Sequence, residues 1–156
     1  MTAVDISYGA AGQAITCTLA GLASSQTVGR ASTAVSNATT LALDALVSAE
    51  FVLPAGTPAD DQAIYVYAYG NVASAAYTEG VSGVDESFTI NNPTGLRLIG
   101  VVPTPAGGVN YYSGPWSVAA AFGGILPASW GVVVVDYTGL ALTSGSLYYQ
   151  TIGATV

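Results

Sequence analysis

The sequence predicts an all-β fold, an antiparallel sandwich of two sheets, and three observations carry that expectation. Charged residues make up 7% of the chain, against about a quarter in an ordinary soluble protein, and Lys, Glu, Arg and Gln are nearly absent. Those are the straight-chain helix formers, so amphipathic helices have little to be built from. Leu41–Leu53 alternates strictly, with Leu41, Leu43, Ala45, Val47, Ala49, Phe51 and Leu53 on one face and Asp44, Ser48 and Glu50 on the other, the pattern of a half-buried strand. Gly131–Val135 is the most hydrophobic run and is rich in Val, which suits a strand buried on both sides. Hydrophobic residues reach 51%, which excludes a disordered chain.

The elements follow in order. Thr2–Gln13 lacks a clear period and reads as an N-terminal arm, and Ala14–Leu19 reads as a short first strand. Gly21–Thr40 is small, polar and charged only at Arg30. It reads as an extended loop, with a helical turn at Ala31–Asn37 or as a segment that lies along a neighbour. So long a loop inside a compact domain calls for a function. After the Leu41–Leu53 strand, Pro54–Asp61 is a turn. Gln62–Gly70 then carries Tyr65, Tyr67 and Tyr69 on one face and Ile64, Val66 and Ala68 on the other. Asn71–Glu86 is a looser excursion, Ser87–Ile90 a short strand, Asn91–Gly95 a turn, Leu96–Val102 a strand and Pro103–Ser113 a turn-rich loop. Pro115–Thr138 predicts two core strands, Trp116–Phe122 and Trp130–Tyr137, around a turn at Gly123–Pro127. Leu147–Val156 closes the chain.

About eight strands at this spacing, with no helices alternating between them, predict one sandwich domain over residues 1–156. Residues 1–13 are its arm and 21–40 its extended loop. A jelly roll fits first and an immunoglobulin-like sandwich second. Residues 116–135 are uncharged and long enough for a membrane helix, but Gly123, Gly124, Pro127 and Gly131 interrupt the run and no basic cluster flanks it. The expectation is core, not membrane.

The composition removes most chemistry. There is no His and no Lys, which excludes Ser-His-Asp and Cys-His catalysis, the usual zinc sets, Schiff bases and the P-loop. The carboxylate pairs Asp60/Asp61 and Asp85/Glu86 are the remaining candidates for acid–base hydrolysis or calcium. Both lie in turn-like sequence, where acids are ordinarily solvated, and the calcium-loop spacing is absent. The reading is therefore no enzyme, no cofactor and no metal. Cys17 reads as a small buried hydrophobe, and Asn37-Ala38-Thr39 as a chance glycosylation match. Net charge is −7 with Arg30 and Arg97 the only cations, so neither nucleic acid nor anionic lipid is an expected partner. Arg30 and Arg97 are both expected to pair with acids, Arg97, set within a strand, in the more fixed pair, so that it matters more for stability than Arg30. No secretory leader is apparent, so synthesis in a cytosol is expected. A surface this poor in charge points to cover by other subunits.

Several stretches resemble small virion proteins of tailed phages and prophages. Gly29-Arg30-Ala31-Ser32, Asn37–Val47 (ending LALDALV), Ile64–Gly70 (IYVYAYG), Thr94–Val102 (TGLRLIGVV) and Trp116–Val135 (WSVAAAFGGILPASWGVVVV) occur in that family's order. The resemblance covers most of the chain from Gly29 onwards, and its motifs are structural. It implies a capsid decoration (cement) protein on the outside of the head, built as a jelly roll or related β-fold and forming homotrimers that clamp the major capsid protein. The alternative is a tail component or a receptor- or carbohydrate-binding structural module. On this reading Tyr65, Tyr67, Tyr69, Tyr111 and Tyr112 are the expected self-contact, ahead of a sugar-stacking role for the tyrosine stripe. Thr2, Val4, Asp5, Ile6, Tyr8 and Arg30 are the expected shell contact.

Overall fold

In the computed structural model, which describes residues 4–73, 76–91 and 94–155, strands run from end to end of the chain. In order they are β1 (Asp5–Tyr8), β2 (Gln13–Ile15), β3 (Val28–Ala31), β4 (Val35–Ser36), β5 (Asp44–Val52), β6 (Ala63–Ala73), β7 (Ala76–Tyr77), β8 (Glu86–Thr89), β9 (Arg97–Pro103), β10 (Asn110–Ser117), β11 (Ser129–Tyr137) and β12 (Ser144–Thr155). One α-helical turn, α1 (Val118–Ala121), follows β10, and a 3-10 turn spans Thr78–Gly80. All pairings are antiparallel.

Two sheets pack face to face. The first has the order β1-β12-β5-β10, with β2 beside β1 on the same edge of β12. The second runs β7-β6-β11-β3-β8, with β9 also on β6 and β4 also on β11. Strands from the two ends of the chain thus lie side by side in both sheets. This order is compatible with a jelly roll. Between the sheets sit Val47, Phe51, Ile64, Val66, Trp130, Val132, Val134 and Leu147, all buried. Burying such side chains contributes about 1.5–3 kcal/mol each, and this layer is the main source of stability.

The strict alternation around Leu41–Leu53 is present in β5, where Ala45, Val47, Ala49 and Phe51 are buried and their neighbours half-exposed. The strand starts at Asp44 because Leu41 takes a left-handed backbone (φ 48°) and turns out to solvent. The Val run is the centre of the second sheet, and Trp130–Asp136 of β11 is buried at every position. Its second face is covered by the chain itself. Tyr69, Val133, Val135, Ala31, Val81 and Leu96 form a smaller core on the outside of this sheet, under the excursion that carries Tyr77, Phe88 and Ile90. Tyr69 lies opposite Gly131, and a Cβ at Gly131 would collide with its ring. Glycine there lets the ring lie flat across the strand.

Four expectations need correction. Trp116–Phe122 is not a strand: β10 ends at Ser117, whose side chain accepts from Ala120 N and caps α1, while Asp44 Oδ1 accepts from Ala119 N at 2.8 Å. Those acceptors satisfy the first N–H groups and favour a helical turn over extension. Residues 21–40 are not a structureless loop, since β3 and β4 both pair with β11. The Ala31–Asn37 stretch is extended where a helical turn was expected. Residues 5–8 are not a free arm but a strand on β12. Among the described residues no helix is long and apolar enough to cross a membrane.

Candidate functional site

The expected shell-contact residues divide. Thr2 lies outside the described residues. Val4, Ile6 and Tyr8 are 66%, 70% and 65% exposed, although Ile6 and Tyr8 belong to a regular strand. The register explains it: Asp5–Tyr8 pairs with Ile152–Thr155, and β5 reaches only to Asp44 opposite Ile152. Past that point β1 and the end of β12 form a two-stranded ribbon that overhangs the core. Ile6 stands opposite Ala154 and Tyr8 opposite Ile152; Asp5 and Ser7 stand opposite Thr155 and Gly153. Opposed residues share a face, so one side of the ribbon is apolar and the other polar. Leu43, which donates its backbone N–H to Ile152 O, is also exposed. The outer edge of β1 has no strand beside it among the described residues, which leaves its main-chain groups open to pairing.

Arg30 is not free for a shell contact. Its Nε donates to Asp85 Oδ1 at 2.5 Å and its Nη2 to Asp85 O at 2.9 Å. Asp85 also accepts from Thr18 N at 3.0 Å and from Thr18 Oγ1 at 2.5 Å. Burial alone would raise the Asp85 carboxyl, but the Arg30 and Thr18 hydrogen bonds outweigh it and hold the pKa below the ordinary range. Arg97, where the fixed pair was expected, opens β9 as an exposed residue with no ion pair among the described residues.

The five tyrosines do not make one surface. Tyr65, Tyr67 and Tyr69 lie on the outer face of the second sheet, and Tyr111 and Tyr112 on β10 of the first. Tyr69 is fully buried; it donates to Ser32 O at 2.7 Å and meets Tyr77 edge-on at 5.3 Å. It is core, because the 76–96 excursion folds over it. Tyr65 and Tyr67 are half-buried, and Tyr65 donates to Asp61 Oδ2 at 2.8 Å. Tyr111 is half-buried, with its hydroxyl donating to Ala106 O at 2.7 Å. Tyr112 is 73% exposed.

The acid pairs are engaged locally: Asp60 Oδ2 accepts from Ser24 at 3.5 Å, Asp61 from Tyr65, Asp85 from Arg30 and Glu86 from Ser82. No group of three or more His, Cys, Asp or Glu side chains suited to a metal occurs among the described residues. Burial pushes the Cys17 thiol up to about 12, which leaves no thiolate at neutral pH. Asn37 is buried and its amide is bonded both ways to Ala42, Oδ1 accepting from the N–H at 2.8 Å and Nδ2 donating to the carbonyl at 3.1 Å. It pins the entry to β5 and is not presented for glycosylation.

Two groups escaped the sequence reading. Glu79, in a left-handed conformation (φ 60°), accepts from Asn91 N and Gly95 N at 2.7 Å, from Leu96 N at 3.1 Å and from Thr94 Oγ1. Asp136 is buried in the Val strand with Oδ2 unpartnered. Burial pushes it up to about 6, against the lowering effect of Thr138. An acid within an apolar run was its visible sign. No protein-family model, curated protein or solved structure matches the chain.

Proposed function

We propose that this chain is a non-enzymatic phage capsid decoration protein, which binds the outside of the head and stabilises the junctions between capsomers. The resemblance of its ordered motifs to small virion proteins supports this reading. The observation that carries it is the overhanging ribbon. A strand with an apolar face and an open edge is a liability for a protein that stays alone, and it suits one that adds a strand and buries that face on a neighbour. The partner is the major capsid protein, and self-association as a homotrimer sets many such contacts on one shell, where weak copies sum by avidity. Few ion pairs are available to the contact, so it resists salt. The particle carries the protein on its exterior after synthesis in the host cytoplasm.

The test is binding to expanded capsids. Ile6→Asp and Tyr8→Asp change exposed positions, so the melting temperature stays within the small range of surface substitutions. Decoration drops by at least about tenfold, the loss of roughly 1.4 kcal/mol of contact. Full decoration by both variants, or release of the unaltered protein by moderate salt alone, overturns the reading. Hundreds of copies per virion support the head position; a handful place the protein in the tail.

A further inference from the structure

The first sheet carries on its outer face a trough of about 290 Å³, near the lower end of ordinary small-ligand sites. Its floor is Ser48 and Glu50 of β5, and its two largest walls are Tyr112 of β10 and Tyr148 of β12. The register sets the spacing. Tyr112 stands opposite Glu50 and Tyr148 opposite Ser48, so the tyrosines sit diagonally across the intervening strand, about 12 Å apart at the backbone. The hollow between them has a cause. β10 bulges between Ser113 and Trp116, and Gly114 there has φ 105° with no room for a Cβ against Val47 O and Ser48. The bulge presses its glycine onto β5 and places no side chain over Ser48.

We infer that this trough binds a neutral oligosaccharide, with two pyranose rings separated by one intervening sugar unit stacked on the two tyrosines. Both rings reach solvent, Tyr112 at 73% and Tyr148 at 37% exposure, and an exposed ring presents the π-face on which the C–H side of a pyranose stacks. The floor supplies the polar contacts that stacking lacks. Glu50 Oε1 accepts from Asn110 Nδ2 at 3.2 Å, which orients the carboxylate and leaves Oε2 to accept from sugar hydroxyls. Such charge-assisted bonds are the stronger kind. The Ser48 and Ser113 hydroxyls flank it. Charge narrows the class: neither cation lines the trough and the chain carries −7, so acidic and phosphorylated sugars are repelled. A small quaternary ammonium is held within ~6 Å of a ring centroid, and midway between these tyrosines it sits at the limit of that reach from each, so choline is the competing probe. The site does not depend on where in a virion the protein sits.

The experiment is a titration of the free protein, followed by backbone-amide NMR, with cellotriose, maltotriose and N,N′,N″-triacetylchitotriose, each up to about 10 mM, and with choline chloride. At least one trisaccharide shifts the amides of Ser113, Gly114 and Tyr148 saturably, while choline does not. Tyr112→Ala and Tyr148→Ala each weaken that binding about tenfold or more, Tyr112→Phe and Tyr148→Phe keep it, and Glu50→Gln weakens it with the fold intact by its amide spectrum. Absence of shifts with all three trisaccharides, shifts that the alanine variants leave unchanged, or saturable binding of choline at the same amides overturns the inference. Capsid decoration is a separate readout, so this result and that one fail independently.

Discussion

Arg30 Nε lies 2.5 Å from Asp85 Oδ1, and through that pair the β3 strand, the loop before β8 and the segment after β2 are tied together. Asp85 holds both Arg30 and the Thr18 N–H and hydroxyl. Removing it strands a guanidinium and a backbone donor at once. Asp85→Ala costs about 2 kcal/mol, within the range for hydrogen bonds to charged groups, and Arg30→Ala somewhat less. Arg97→Ala, at an exposed strand start, stays within about 0.5 kcal/mol. Urea unfolding of the three variants gives the ranking; an Arg97 effect as large as that of Asp85 contradicts it.

Asp136 gives stability a pH dependence opposite to that of Glu79 and Asp85. Its folded pKa is about 6, above the ordinary value near 4 for an unfolded chain, so the folded state holds the proton more tightly. Stability is therefore greatest below about pH 4 as far as this group is concerned, falls as pH rises to about 6 and is flat beyond, with a total loss on the order of 3 kcal/mol. Glu79 and Asp85 are held below their ordinary range; their contributions are present above about pH 4 and are lost as pH falls through the folded values. Asp136→Asn removes the decline between about pH 4 and 6 and is the more stable protein at about pH 7. Denaturant unfolding across that window measures it, and an unchanged slope in the variant rules the account out.

Glu79 fastens the excursion over Tyr69. Burial alone would raise its carboxyl, but Thr94, Asn91, Gly95 and Leu96 together lower it. Glu79→Ala keeps the left-handed backbone and loses the acceptor, which leaves backbone N–H groups unpaired at a cost of about 2 kcal/mol. The loss is local: amide exchange at Tyr77–Val81 and at Glu86–Ile90 accelerates by roughly tenfold or more, while β5 and β12 exchange as before. Equal acceleration in β5 would show that the excursion and the sandwich open together.

The sheets were legible where one side chain in two is buried. The alternation announces its face from Ala45 to Leu53, although Leu41 and Leu43, which share the pattern, are exposed, and Gly131–Val135 announces its complete burial. What the pattern hid is what covers that burial. Tyr65, Tyr67 and Tyr69 read alike in sequence, and only the path of residues 76–91, with Leu96, makes Tyr69 core while Tyr65 and Tyr67 stay half-open. The arm and the 21–40 loop escaped for a related reason: β1, β2, β3 and β4 are two to four residues long, too short to show a period, and exist because long C-terminal strands offer them an edge. The Arg30–Asp85 pair spans 55 positions, a separation no local pattern encodes. Of the ribbon, its apolar residues were visible, but their exposure depends on how far β12 outruns β5.

The strands at the middle of the two sheets are β11, between β6 and β3, and β12, between β5 and the N-terminal strands. They also follow every other described strand along the chain. Until Ser129 has left the ribosome, Phe51, Ile64 and Val66 belong only to small pieces of sheet, β5 with β10 and β6 with β9, and β1 has no strand to pair with among the described residues. Those pieces are joined into two full sheets only when β11 and β12 arrive, by pairings between distant segments that are slow to find one another. Through that interval the nascent chain carries bare apolar edges, so a ribosome that stalls before residue 129 leaves a product more ready to aggregate than to fold.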